Sequence, residues 1–268
     1  MAVRVAVIPA AGMGTRFLPA TRAVPKELLP IYDTPALQLV ADEAAAAGCE
    51  RIVIVSSRAK PAIEMYAERM ARPGLDVRLV HQAEPRGLGH AVGCAREHLG
   101  GGSFAVLLPD EVMGDASLLR TMVEEHEATR DHVVGLVRVP AAEVGAYGCA
   151  AIRGVPDARG IVPVRDVVEK PAAADAPSDL ILAGRYVLGP DALARIDALR
   201  PAHSGELQLS DALAAIARAG CLRGVVAACR RYDTGTPLGL LRAVVDVALA
   251  RPDVGPQLRD WLGERLSR

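Results

Sequence analysis

Between residues 3 and 139, short apolar runs alternate with longer helix-type stretches, and this rhythm restricts the fold more than any other feature. Val3–Ile8, Arg51–Ser56, Asp76–His81, Phe104–Leu108 and His132–Val139 are rich in Val, Ile and Leu. Runs apolar at successive positions suit strands buried on both faces. Thr34–Gly48, Pro61–Met70, Leu88–Leu99 and Ser117–Thr129 lie between them and predict helices, with Gly48 as a C-terminal stop. A β-α-β succession predicts an α/β fold: a mostly parallel, Rossmann-like sheet with helices on both faces.

After Pro140 the rhythm changes. Gly148–Ile152, Val162–Glu169 and Leu180–Leu188 predict short strands separated by turn-rich segments. Helices are expected at Pro190–Leu199, Leu207–Ala219, Pro237–Ala250 and Pro256–Leu266, with a strand near Gly224–Ala228. No internal repeat or low-complexity linker interrupts the chain. The expectation is one domain over 1–268: a first half at 1–140, a small β-rich subregion at 141–235, and C-terminal helices at 236–268.

Composition excludes several classes. Aromatics are 3% of a chain that is 51% hydrophobic, so the core must be built from Val, Leu, Ile and Ala. The net charge is -1, without the basic excess of a nucleic-acid binder. The five cysteines form no C-x-x-C pair, and no His lies near two of them, which argues against zinc. An odd count without a signal-peptide layout points to reduced thiols in the cytoplasm. The apolar N-terminus is too short for a membrane span.

The first strand runs into Pro9-Ala10-Ala11-Gly12-Met13-Gly14-Thr15-Arg16. A Gly-rich turn there lets backbone N–H groups converge on a phosphate. It is neither a Walker A loop nor a dinucleotide fingerprint. Arg16 and, ten residues on, Lys26 add two cations beside it, enough to offset much of a triphosphate's charge. Taken singly, each could as well be an ordinary surface cation.

Four further motifs follow in order. Gln82 and Gly87 stand where a strand end meets a turn, and a Gln amide can pair with a pyrimidine edge. Asp110 ends an apolar strand as a hard oxygen ligand suited to Mg²⁺, or as a turn residue satisfying its own backbone. Glu169-Lys170-Pro171 could bind sugar hydroxyls and a sugar phosphate, although such a turn is also common on surfaces. Asp233 lies in a tight Asp-Thr-Gly-Thr turn, as a second carboxylate for metal or as an N-cap to the helix at Pro237.

Gly12–Thr21 together with Lys26-Glu27-Leu28-Leu29-Pro30 resembles the signature loop of the bacterial sugar nucleotidyltransferases. Gly87-Leu88-Gly89-His90-Ala91-Val92 looks like the UTP–glucose-1-phosphate uridylyltransferase branch, with the thymidylyltransferases next. The resemblance covers nearly the whole chain. It implies a nucleotide-binding half at 1–140 and a sugar-binding half at 141–235. It implies nucleotide contacts from Ala10, Ala11, Gly12, Gly14, Thr15, Gln82 and Gly87. Arg16, Lys26 and Lys170 would be catalytic, and Gly148, Glu169, Lys170 and Gly184 would meet the sugar. Asp110 and Asp233 would hold Mg²⁺.

The implied partners are a nucleoside triphosphate and a sugar 1-phosphate, with no nucleic acid or membrane and a homo-oligomeric state. One departure stands out: the uridylyltransferases carry a charged helical insertion where Ile63–Gln82 is compact here. Thymidylyl or adenylyl transfer, or an inactive nucleotide-sugar sensor, are the alternatives. A sensor should have lost a charged residue from the set, and none is missing.

Overall fold

The structure is a computed structural model that describes residues 2–202 and 205–267. In chain order its strands and α-helices are β1 (Val5–Pro9), β2 (Pro30–Ile31), β3 (Thr34–Pro35), α1 (Ala36–Ala46), β4 (Arg51–Ser56), α2 (Pro61–Met70), β5 (Asp76–His81), α3 (Leu88–Cys94), β6 (Phe104–Leu107), β7 (Glu111–Met113), α4 (Ser117–Thr129) and β8 (His132–Arg138). Then come β9 (Gly148–Ile152), β10 (Ile161–Glu169), β11 (Leu180–Leu188), α5 (Ala192–Asp197), α6 (Leu209–Arg218), β12 (Leu222–Val226), β13 (Arg231–Asp233), α7 (Pro237–Ala250) and α8 (Gly255–Leu266).

Nine strands form one sheet in the order β5-β4-β1-β6-β11-β8-β12-β10-β9. The first four are parallel, as the β-α-β rhythm requires. The expectation of a mostly parallel sheet fails beyond them: the sheet is mixed. β11 enters between β6 and β8 and runs antiparallel to both. β10 is antiparallel to β12 and β9. An extra pairing of Ile181 with Cys149 joins β11 to β9. It closes β11, β8, β12, β10 and β9 into a small five-stranded mixed barrel. β11 is buried along its whole length, so its residues look like those of a central parallel strand, and burial carries no direction.

Both faces of the parallel part are covered. Ala6 and Ile8 of β1 join Ile52 and Ile54 of β4 in one core with Leu37, Val40 and Ile63 of α1 and α2. Val7, Val53 and Val55 point the other way, to Ala91 and Val92 of α3. This is the period-two alternation of a strand with two dry faces. Each such Val or Ile contributes roughly 1.5–3 kcal/mol by burial. Leu88–Leu99 is not one helix but α3 and a short 3₁₀ turn at Arg96–His98. Among the described residues no helix is long and apolar enough to cross a membrane.

The C-terminal ends of β1, β4, β5 and β6 lie side by side. The segments that follow them carry Gly12–Lys26, Lys60, Gln82–Gly87 and Asp110 onto one edge. In an open α/β sheet that edge is where ligands bind.

Candidate active site

The loop after β1 is anchored from beneath. Ala10 is fully buried; its N–H donates to the Val55 carbonyl at 2.7 Å. Lys60 Nζ donates to the Ala10 carbonyl at 2.9 Å and to both Glu27 carboxylate oxygens at 3.0 Å. Lys60 is 8% and Glu27 2% exposed. Burial pushes the Glu27 carboxyl up, and Lys60 opposes it; burial pulls the Lys60 ammonium down, and Glu27 opposes that. This pair ties the loop to the Lys26 segment, and sequence reading missed it. Only the fold joins positions 33 residues apart.

Gly14 has φ 64°, and a Cβ there would press on Thr21 and Lys26 at 3.3–3.4 Å. Thr21 Oγ1 donates to the Gly14 carbonyl at 2.9 Å, which fixes this close approach. Gly12, Thr15 and Arg16 are exposed.

Asp110 follows β6 through a turn at Leu108-Pro109. Lys26 Nζ lies 2.5 Å from its Oδ2. Burial pulls the Lys26 ammonium down, but the Asp110 charge and hydrogen bond more than offset this, and its pKa is raised. The turn is held by Arg185, which is 0% exposed. Its guanidinium grips Glu43 at 2.7 and 2.9 Å and donates to the carbonyls of Leu108, Gly184 and Glu111 at 2.6–3.2 Å. All five of its N–H donors are used, which makes the node rigid. Gly184 has φ 66°, and a Cβ would meet Glu111 Cγ at 2.7 Å, so the turn packs directly on it.

Asp233 reaches this turn through a ladder that sequence reading did not foresee. β13 pairs antiparallel with β7 and sets Asp233 opposite Glu111. Thr234 donates to the Asp110 carbonyl from its N–H at 2.8 Å and from Oγ1 at 3.0 Å. The helix N-cap is Thr236, not Asp233: Thr236 Oγ1 accepts from Gly239 N–H. Asp233 instead accepts from Gly235 N–H at 3.0 Å and Tyr147 Oη at 2.7 Å. A Cβ on Gly235 would lie 3.1 Å from Asp110 Oδ2 and 3.1 Å from Asp233 Oδ1. The two carboxylates therefore flank one point.

Glu111 turns away, into a two-pronged bond with Arg231 at 2.5 Å. Burial pushes its carboxyl up to about 7 against the pull of Arg231. Arg231 also stacks on the Tyr147 ring, 4.5 Å from its centroid.

Ala11, Gly12, Lys26, Gln82, Gly87 and Asp110 share a cavity of about 280 Å³ that Glu206 also lines. Gly87 has φ 97°, and the backbone of Leu207 lies where a Cβ would go, at 2.8 Å. Glu169 pairs with Gly148 across β10 and β9, and Lys170 N–H donates to the Tyr147 carbonyl at 3.1 Å. The Glu169 carboxylate lies 3.2 Å from where a Gly148 Cβ would stand. The Lys170 side chain is 59% exposed, with Nζ 3.8 Å from Glu169. Arg16, Lys170 and Asp233 do not line the cavity. Arg16 is close enough to oppose the Lys26 charge. Asp233 adjoins Asp110 at Gly235, and Lys170 projects from the barrel end beside Gly148.

The chain is similar to known proteins over nearly its whole length. The nucleotidyl transferase family model matches residues 5–249. The UTP–glucose-1-phosphate uridylyltransferase YngB of Bacillus subtilis (strain 168) is 37% identical, over 99% of this chain and 96% of that protein. The UTP-bound UGPase of Acinetobacter baumannii superposes with a TM-score of 0.89 at 31% identity, covering 98% of this chain and 99% of that one. A UDP-glucose pyrophosphorylase complexed with UDP-glucose superposes with a TM-score of 0.86 at 33% identity, covering 93% and 100%. Family match and full-length similarity coincide, and the chain belongs to the nucleotidyl transferase family.

Proposed function

We propose that this protein transfers UMP from UTP to glucose 1-phosphate, giving UDP-glucose and pyrophosphate. The observation that carries the reading is the cavity that brings Lys26, Gln82, Gly87 and Asp110 together at the strand ends. Full-length similarity to uridylyltransferases supplies the substrates.

Both reactants are anions, and the attacking phosphate oxygen is already ionised, so no general base is needed. The tasks are alignment and charge neutralisation. The loop Ala10, Ala11, Gly12, Gly14 and Thr15 cradles the triphosphate, with Ala10 acting from beneath. Arg16 stabilises the departing pyrophosphate, and Lys26 neutralises charge at the α-phosphate. Gln82 and Gly87 receive the uracil. Glu169, Gly148 and Gly184 bound the sugar, and Lys170 holds its phosphate in line.

Asp110 and Asp233 flank a single point at Gly235, and among the described residues no third Asp, Glu, His or Cys joins them as a metal cluster. Two carboxylates suit Mg²⁺, which takes one or two and completes its shell with phosphate oxygens and water. Asp110 and Asp233 would hold the ion, which would supply positive charge beside the phosphates. The same reading places the protein in the cytoplasm as a homo-oligomer, in keeping with five unpaired cysteines.

The test is pyrophosphate release from glucose 1-phosphate and Mg²⁺ with UTP, dTTP, ATP, CTP or GTP in turn. UTP should be used best. Preference for a purine nucleotide or CTP would overturn the reading.

A further inference from the structure

Gln82 directly follows β5 and is 5% exposed. Its Nε2 is 3.1 Å from the Gly87 carbonyl oxygen and 2.9 Å from His90 Nδ1. A carbonyl oxygen can only accept, so the amide atom facing it must be the nitrogen. The second Nε2 hydrogen then goes to His90. That requires a lone pair on Nδ1 and places the ring proton on Nε2, which points toward Cys94 Sγ at 3.9 Å. His90 and Cys94 are four apart on α3, on one side of the helix, whereas Leu88 and Ala91 line the cavity. His90 thus stands behind Gln82 and away from the ligand.

With both hydrogens engaged, the amide has only Oε1 to present, and among the described residues no protein donor meets it. The Watson–Crick edge of uracil carries one donor, N3–H. Cytosine has a lone pair at N3 and carries its donor on the neighbouring N4 instead. We infer that His90 is a specificity-determining positioning residue. It takes the spare hydrogen of the Gln82 amide, so that Oε1 alone meets the base, accepts from uracil N3–H and repels cytosine N3. This rests on the uridylyl-transfer reading above.

The experiment compares kcat/KM for UTP and CTP in the unsubstituted protein and in His90→Phe, which keeps a ring but offers no acceptor. The ratio of the two constants cancels the fraction of folded enzyme, so a purely structural role would not move it. The UTP-to-CTP ratio should fall about tenfold, since a hydrogen-bonding site rejects a mismatched analogue only while its polar groups are fixed. The KM for glucose 1-phosphate should be unchanged.

An equal loss with both nucleotides would overturn the role of His90 while leaving the uridylyl reading intact. Preference of the unsubstituted protein for CTP or a purine nucleotide would overturn both. Should His90→Phe fail to fold, ¹⁵N NMR of the unsubstituted protein decides. The His90 proton should reside on Nε2, with coupling across the bond from Gln82 Nε2 to His90 Nδ1. A proton on Nδ1 would overturn the inference.

Discussion

Lys26 Nζ and Asp110 Oδ2 are 2.5 Å apart although 84 positions separate them in the chain. The cation proposed for the α-phosphate thus holds the carboxylate proposed for the metal. Each holds the other in place before any ligand arrives, and the Asp110 charge favours the charged form of Lys26. Asp110→Asn removes both the pairing and the ligand. Turnover should fall about 10²–10³-fold, in the range for loss of one electrostatic stabiliser. Steady-state kinetics across a Mg²⁺ titration would check this; retention of near-normal turnover would exclude Asp110 as a ligand.

Gly235→Ala places a methyl group 3.1 Å from an oxygen of each carboxylate. Asp110 and Asp233 must then move apart. Metal affinity should weaken by about 10–100-fold, as when a residue that orients metal ligands is lost. Binding of Mn²⁺ followed by electron paramagnetic resonance would measure it, and unaltered Mn²⁺ binding would count against the pair.

Lys170 is solvent-exposed, and among the described residues Glu169 is its one ion-pair partner. Lys170→Ala should leave the fold intact, because an exposed pair contributes about 0–1 kcal/mol. It should lower turnover by about 10²-fold or more. UTP affinity, measured by calorimetry, should stay close to normal. A parallel loss of UTP affinity would move Lys170 out of the sugar-phosphate role.

Lys60→Met leaves the Glu27 carboxylate buried without its cation. Loss of one partner from a buried pair costs about 3–5 kcal/mol. Urea denaturation should show that loss, and Lys60→Met with Glu27→Leu should recover much of it. A cost below about 1 kcal/mol, the usual worth of an exposed pair, would mean that the clamp is not needed.

His132 offers a pH test away from the site. Its Nδ1 accepts from Gly189 N–H at 3.1 Å, and its Nε2 lies 3.2 Å from Asp191 Oδ2. Burial lowers its pKa below the ordinary 6.5 despite the opposing pull of Asp191. The fold therefore favours the neutral ring. That contribution is complete above 6.5 and is lost as pH falls through the lowered folded value. Urea midpoints should drop below pH 6.5, and His132→Gln should flatten that drop. A drop equally steep in the variant would assign it to other groups.

Local periodicity alone determined many of the elements. Arg51–Ser56, Pro61–Met70, Asp76–His81, Ser117–Thr129 and Pro237–Ala250 could be bounded from the sequence because apolar spacing and Pro or Gly stops act over a few residues. Leu180–Leu188 was also legible as a strand, but not its direction or its place between β6 and β8. The loop and the motif residues could be named for the same local reason, since chemistry resides in residue type and spacing.

The tertiary structure alone decided what those residues touch. The β7–β13 ladder is three residues long on each side, too short for any periodic signal, yet it carries Asp233 to Asp110. Lys60 finds Glu27, and Arg185 finds Glu43 142 residues away, only because the sheet stacks their segments. Periodicity records whether a side chain faces the core. It does not record which distant group will be waiting there, because that depends on strand order and direction set by the packing of the whole chain.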